Sequence, residues 1–189
     1  MKDFLITKQN IDLMRSKGGD HFNIKKLLKN DKLDHSQSVR FGNVFVRYLK
    51  DLIVSKGFKL VNEEFIDVYG ENSKTKKKVK GKKELDICFI KDDTIFYFEC
   101  KLNLNLDSEK SKETDHKILK INDYLLKENL ENTVFSGLII GWWEKEKGMK
   151  ITTKTKNLLF MKDFLEIIDV NTTKEEYYDM MSEFGKNIQ

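Results

Sequence analysis

Residues 84–101 read ELDICFIKDDTIFYFECK, and this stretch decides the fold. Two runs rich in β-branched and aromatic residues flank a short polar turn, which is the pattern of a β-hairpin. With Asp92 and Asp93 as a two-residue loop, Lys91 pairs with Thr94. This choice of loop fixes the register of the whole hairpin.

The register sorts the hairpin into two faces, because side chains alternate along a strand. On one face Asp86 falls opposite Glu99, and Glu84 falls opposite Lys101. The other face is wholly apolar and is expected to belong to the core; it consists of Leu85, Ile87, Phe89, Phe96, Phe98, Cys100 and Leu102. We therefore expect any chemistry to lie on the face with the charged residues.

Asp86 and Glu99 form a cross-strand pair of like charge. Such a pair has its Cβ atoms roughly 5 Å apart and is destabilising unless something offsets the repulsion. A divalent cation held by both carboxylates would do so, since Mg²⁺ favours carboxylate oxygens and water as ligands. The alternative is a solvated sheet face on which Lys101 neutralises Glu84.

The length of 189 residues suits one domain with a proper hydrophobic core. We expect a single domain over residues 1–189. Its core is expected at about 36–142, with a helical extension over 1–35 and a C-terminal extension over 143–189.

Charged residues make up 35% of the chain and the net charge is +4, which permits a polyanionic partner without requiring one. Alanine and proline are absent while lysine abounds, as in proteins from AT-rich genomes, so the lysine count alone carries little weight.

Cys88 and Cys100 point to opposite faces of the hairpin, which fits a reducing compartment. No apolar run approaches the length of a membrane span. We expect a cytoplasmic protein with no membrane partner.

The periodicity of apolar residues predicts the remaining elements. A helix is expected from 36 or 38 to 56, closed by Gly57. Two short helices are expected within residues 1–34, packed outside the main core. The other expected elements are strands at 58–68, 134–142 and 149–153 and helices at 108–128, at 158–168 and from Thr172 or Thr173.

A lysine-rich run, NSKTKKKVKGKK, occupies residues 72–83. Such like-charge runs are typical of mobile, solvated loops. This run leads directly into the strand that bears Asp86, so it can supply salt-sensitive attraction for a phosphate backbone. The candidate phosphate-binding residues are Arg40, Lys76, Lys77, Lys78, Lys80, Lys82 and Lys83.

The order helix, strand, strand, strand, helix, strand, with Asp86 on the second strand and Glu99-Cys100-Lys101 on the third, resembles the PD-(D/E)XK nuclease superfamily. The resemblance covers roughly residues 36–142. It implies an α/β fold with a restriction endonuclease-like core: a central four- to five-stranded mixed sheet flanked by helices (αβββαβ), with extra N- and C-terminal helices.

The resemblance also implies roles for residues of the hairpin. Asp86 and Glu99 would bind one or two Mg²⁺ ions, which Mn²⁺ could replace, and the backbone carbonyl of Cys100 would be a further ligand. Lys101 would position or activate the attacking water. A lysine beside a metal in a partly desolvated site is expected to have its pKa lowered towards the working range.

The first helix departs from the family pattern. Val46 stands where the family often has a glutamate that supplies another metal ligand. Glu63 or Glu64 on the preceding strand, or Glu84, could supply the additional acid, or the site could hold a single metal. Alternatively, the protein has lost cleavage and kept DNA binding.

The expected function is that of a Mg²⁺-dependent DNA endonuclease, of the type II restriction endonuclease kind. Its expected partners are double-stranded DNA and a second copy of the chain, because two sites most simply cut both strands of a duplex. One alternative is a structure-selective nuclease such as a Holliday junction resolvase. Another is a non-catalytic DNA-binding module that uses Arg40 and the lysine-rich run.

Overall fold

The computed structural model describes residues 22–61, 65–71, 78–102, 108–147, 149, 151 and 153–188. The helices are α1 (Phe22–Leu28), α2 (His35–Ser55), α3 (Ser108–Glu128), α4 (Met161–Ile167) and α5 (Lys174–Asn187). The strands are β1 (Lys59–Leu60), β2 (Phe65–Glu71), β3 (Lys78–Glu84), β4 (Ile87–Lys91), β5 (Thr94–Lys101), β6 (Thr133–Ile140) and β7 (Leu158–Phe160).

The main sheet has five strands in the order β1-β4-β5-β6-β7. The pairs β1–β4 and β4–β5 are antiparallel, whereas β5–β6 and β6–β7 are parallel. Helix α3 makes the crossover between β5 and β6, as parallel neighbours require. The prediction of an α/β protein with a four- to five-stranded mixed sheet flanked by helices is confirmed.

The β4–β5 hairpin has the predicted register, with Lys91 opposite Thr94 and Ile87 opposite Phe98. Asp92 and Asp93 both have positive φ angles, 46° and 57°. A two-residue turn with positive φ at both positions matches the right-handed twist of the flanking strands. Asp-Asp can occupy it because aspartate tolerates the left-handed region better than most residues.

Strands β2 and β3 form a separate two-stranded sheet, here called the ribbon. Its register ends with Glu84 opposite Phe65. Two predictions are therefore wrong: Glu84 does not pair with Lys101, and residues 78–83 form a strand rather than a solvated loop. Leu85 and Asp86 separate the ribbon from β4.

The two faces of the main sheet are covered by different helices. Helix α3 lies over the face with Tyr97 and Glu99, since its Lys117 contacts the Glu99 carboxylate. On the opposite face Phe98 packs edge-on against Phe164 of α4, with ring centroids 6.0 Å apart. Both hairpin faces are thus buried, so the alternative of a solvated charged face is wrong.

The predicted boundaries of α2 and α3 hold with small changes. Helix α2 begins after Asp34, whose side chain accepts a hydrogen bond from the Gln37 N–H while Gln37 reaches back to the Asp34 N–H. Gly57 follows it with φ of +83°, as a helix-ending glycine should. Helix α3 spans the predicted residues 108–128.

The ends of the chain depart further from expectation. Ile24, Leu27 and Leu28 of α1 are buried in the core, so the expectation that this helix packs outside the core is wrong. The strand that follows β6 is β7, and not the strand expected at 149–153, where the described residues lie outside any strand. The last helix starts after Thr173, which caps it as predicted. No helix in the described ranges is long and apolar enough to cross a membrane.

Helices α1 and α5 approach each other at Gly185. A Cβ atom at that position would lie 2.0 Å from the backbone oxygen of Leu28, so only glycine fits. Nearby, the Asn30 side chain donates a hydrogen bond to the Gly185 carbonyl at 2.8 Å. This contact fixes the N-terminal helix on the C-terminal one.

We predict that Gly185→Ala lowers the free energy of unfolding by about 1–3 kcal/mol, because the backbones must separate to admit a methyl group. Gly42→Ala, inside α2, is the matched control, since a Cβ there meets nothing within 4 Å. Because alanine has a higher helix propensity than glycine, Gly42→Ala should raise the free energy of unfolding by up to about 1 kcal/mol. Urea unfolding measures both, and equal effects of the two substitutions would contradict this account of the α1–α5 contact.

Candidate functional site

The candidate site lies where the hairpin strands end away from their turn. Asp86 immediately precedes β4, while Glu99 and Lys101 are the last charged residues of β5. The predicted cross-strand register therefore brings these three residues to one place, although Asp86 sits at a bend just outside the ladder. Lys117 of α3 joins them from above the sheet.

Glu99 is the most buried charge of the site, with 3% of its side chain exposed. Its Oε1 accepts a hydrogen bond from the Tyr97 hydroxyl at 2.7 Å and contacts the Nζ of Lys117. Its Oε2 lies 3.5 Å from the Nζ of Lys101. A buried carboxylate requires such partners, since leaving it unpaired would cost several kcal/mol.

Asp86 is oriented by the backbone of the neighbouring strand. Its Oδ2 accepts a hydrogen bond from the Cys100 N–H at 3.0 Å, and its Oδ1 lies 3.9 Å from the Nζ of Lys117. Burial raises the pKa of Asp86, and the charge of Glu99 raises it further. The ionised form of Asp86 is thus disfavoured unless cations stand beside it.

Lys101 has about a third of its side chain exposed. Burial alone would lower the pKa of Lys101, but the nearby carboxylates of Glu99 and Asp86 outweigh burial, so its pKa is raised. Lys101 therefore carries its proton in this arrangement and acts as a hydrogen-bond donor. The lowered pKa expected from the sequence concerns a lysine beside a bound metal ion, and it stays a prediction.

Lys117 is the site residue that the sequence reading missed, together with Tyr97. Lys117 precedes the buried Ile121 by four residues, so both lie on the inward side of α3. By contrast, Leu119 and Leu126 of the same helix are 60% and 45% exposed. The helical spacing between Lys117 and the core residue Ile121 was the signal from which the inward position of Lys117 could have been predicted.

The oxygen donors of the site suit one hard cation. Asp86 and Glu99 supply two carboxylates, and Mg²⁺ is commonly bound by one or two carboxylates with water and substrate phosphate. The Lys101 carbonyl accepts the Gly141 N–H on the β6 side. Because successive strand residues point their peptide groups to opposite sides, the Cys100 carbonyl faces the Asp86 side, as its N–H does. This orientation agrees with the predicted ligand role of that carbonyl.

A third acidic ligand is not found in the part of the chain that the structure describes. The described residues include no group of three or more His, Cys, Asp or Glu side chains that could hold a metal ion. Glu63 and Glu64, two of the proposed additional acids, lie outside the described residues. Glu84 is exposed at the end of the ribbon.

A cleft of about 330 Å³ opens beside the site, between α2 and the end of β5. It is lined by Asp86, Cys100, Lys101 and Leu102, by Ile24 of α1, and by Ser38, Val39, Gly42, Asn43 and Val46 of α2. Val46 thus faces the same cleft as Asp86 and Lys101. The position where the family often has a glutamate lies at the site but presents an apolar side chain.

The predicted phosphate-binding residues are divided between α2 and the ribbon. Arg40 is half-buried on α2, next to the cleft residue Val39. Lys82 and Lys83 are exposed on β3. Lys78 and Lys80 also lie on that strand, whereas Lys76 and Lys77 lie outside the described residues.

Comparison of the chain with models of protein families, with curated proteins and with solved structures finds no match. The geometry of the site therefore carries the functional argument.

The hydroxyl of Tyr97 donates to a buried charge, and we predict that Tyr97→Phe lowers the free energy of unfolding by about 1.5–3 kcal/mol. The control is Tyr178→Phe, which removes a hydroxyl that donates to Glu146 at 3.2 Å on a partly exposed surface. The control should cost less than about 1 kcal/mol. Urea unfolding of both variants is the measurement, and a Tyr97→Phe cost no greater than that of the control would show that Glu99 does not need this partner.

Proposed function

We propose that this protein is a metal-dependent nuclease that hydrolyses DNA phosphodiester bonds, with Asp86, Glu99 and Lys101 in its active site. One observation carries the proposal: a carboxylate on β5 and a carboxylate just before β4 converge beside Lys101 at the edge of an open cleft. Burying one of these carboxylates is costly. A catalytic role accounts for retaining the cluster.

The arrangement of elements supports membership of the PD-(D/E)XK superfamily. Helix α2, strands β1, β4 and β5, helix α3 and strand β6 follow the expected order, with the ribbon inserted between β1 and β4. Glu99 lies on β5 as in the family pattern, whereas Asp86 lies one residue before β4 and not on the strand itself. On this reading the chain has a restriction endonuclease-like core.

Asp86, Glu99 and the Cys100 carbonyl would hold the metal ion, Mg²⁺ or Mn²⁺. When bound, such an ion lowers the pKa of a bound water and stabilises charge on the phosphoryl oxygens. Since Val46 supplies no carboxylate, we infer a single ion held by the described residues. The Cys100 N–H keeps the Asp86 carboxylate oriented by its bond to Oδ2.

Lys101 is the residue that would meet the reacting groups. Its Nζ is held on the site by Glu99 and remains partly exposed to the cleft. A protonated amine there donates hydrogen bonds to a water or to a phosphate oxygen, which orients the water and neutralises developing charge. Lys101 is thus proposed to hold its proton and to position the nucleophile.

The proposed substrate is double-stranded DNA, drawn to the site by Arg40 and by the lysines of the ribbon. Ribbons of this kind can enter the major groove of a duplex. We also propose a homodimer in the cytoplasm, since two sites would cut both strands. Comparing linear and branched duplexes as substrates distinguishes a restriction-type enzyme from a junction resolvase.

We predict that the wild-type protein nicks or cuts plasmid DNA when Mg²⁺ or Mn²⁺ is present and not when EDTA is added. Asp86→Asn, Glu99→Gln and Lys101→Met should each reduce the cleavage rate by about a hundredfold or more, because each removes charge from the reacting centre. Asp123→Asn, on the exposed side of α3, is the control and should cleave normally. Agarose gels of timed digests give the rates, and circular dichroism checks folding.

Undiminished cleavage by a folded Asp86→Asn variant would refute the active-site assignment. Cleavage by the wild type in the absence of metal ions would refute the proposed role of the ion.

A non-catalytic DNA-binding module is the second candidate. Two observations favour it: Val46 supplies no carboxylate from the helix, and the ammonium group of Lys117 already lies beside both acids. In that case the carboxylates serve only as a buried ion-pair network. Binding would then depend on Arg40 and the ribbon lysines.

Both candidates predict salt-dependent DNA binding through the ribbon. The double substitution Lys82→Gln, Lys83→Gln should reduce the slope of log affinity against log salt by about 2, if each lysine contacts one phosphate. Lys162→Gln, an exposed lysine of α4, serves as the control and should leave the slope unchanged. Fluorescence anisotropy with a labelled duplex measures the slope, and an unchanged slope in the double variant would exclude the ribbon from the interface.

A further inference from the structure

Lys117 occupies a particular position among the charges of the site. Its Nζ contacts the Oε1 of Glu99 and lies 3.9 Å from the Oδ1 of Asp86. It approaches from α3, whereas Glu99 comes from β5 and Asp86 from the bend just before β4. One ammonium group therefore bridges two carboxylates that would otherwise repel each other.

The oxygens that Lys117 bridges are the ones a shared metal ion would need. The Oδ2 of Asp86 already accepts the Cys100 N–H, and the Oε2 of Glu99 faces the Lys101 ammonium. The Oδ1 of Asp86 and the Oε1 of Glu99, which also accepts the Tyr97 hydroxyl, are directed at a common point. That point is taken by the Nζ of Lys117.

A divalent ion and an ammonium group cannot both hold these two oxygens. At separations near 4 Å two cations repel strongly in a partly buried site, where solvent screens them poorly. The lysine side chain can move, because it is flexible and about a fifth of it is exposed. The helix backbone need not shift for the ammonium group to leave.

We propose that Lys117 is a built-in counter-cation that a divalent metal ion must displace in order to bind Asp86 and Glu99. Metal binding and release of Lys117 are then one coupled event. Lys117 offsets the repulsion between the two acids before the ion arrives and lowers the apparent affinity of the site for the ion. This inference rests on the proposed metal site and adds a residue that controls its occupation.

The test is a calorimetric titration of Mn²⁺ into protein stripped of metal by a chelator. Lys117→Met keeps the length and apolar stem of the side chain and removes the charge, so its Mn²⁺ dissociation constant should fall at least about tenfold below that of the wild type. Lys117→Arg keeps the competing charge and should bind no more tightly than the wild type. Lys120→Met, one turn further along α3, controls for loss of a lysine and should match the wild type within about twofold.

The outcomes separate the two proposals. Tighter binding by Lys117→Met, including binding that the wild type lacks, supports displacement. Equal or weaker binding by Lys117→Met, with clear binding by the wild type, overturns displacement and leaves the metal site standing. Absence of Mn²⁺ binding in both proteins overturns the metal site itself.

Loss of the ammonium group can also destabilise the fold, since it leaves Glu99 with fewer partners. Thermal unfolding with and without Mn²⁺ covers this case, because a ligand that binds only the folded state raises its melting temperature. A larger Mn²⁺-induced shift in Lys117→Met than in the wild type supports the proposal. A smaller or absent shift in the variant overturns it.

Discussion

The buried carboxylate of Glu99 is the constraint on which the rest of the site depends. A charge with so little exposure is tolerated only when hydrogen bonds and opposite charges replace its water. Tyr97, Lys101 and Lys117 do this from three directions. Alternation along β5 places Tyr97 and Lys101 on the same face as Glu99. The packing of α3 over that face places Lys117.

The hairpin turn and the crossover helix make this arrangement possible. The left-handed Asp92–Asp93 turn fixes the register that brings Asp86 to the end of β5. Helix α3 then returns the chain across the sheet to β6, parallel to β5, and carries Lys117 over the pair of acids. On the cleft side, α2 presents Val46 rather than an acid. The local charge balance is therefore set by lysines, which is why a metal ion would have to compete with one of them.

The sequence predicted those parts of the site that depend on local periodicity. The period of two and the turn residues gave the hairpin register, and hence the proximity of Asp86, Glu99 and Lys101. The pairing of Glu84 was predicted wrongly, because the alternation of polar and apolar residues continues unbroken through 84–90. The chain nevertheless leaves the ribbon for the main sheet at Leu85 and Asp86. Lys117 was missed because its approach depends on how α3 rotates over the sheet. The same rotation exposes Leu119 and Leu126.

A crystal structure of the protein soaked with Mn²⁺ tests the central claim most directly, because anomalous scattering locates the ion independently of activity. The account predicts an anomalous peak about 2.0–2.3 Å from oxygens of both Asp86 and Glu99, with the Lys117 ammonium moved away from them. Electron density that shows Lys117 still bridging the two carboxylates at saturating Mn²⁺, without an anomalous peak, would contradict it.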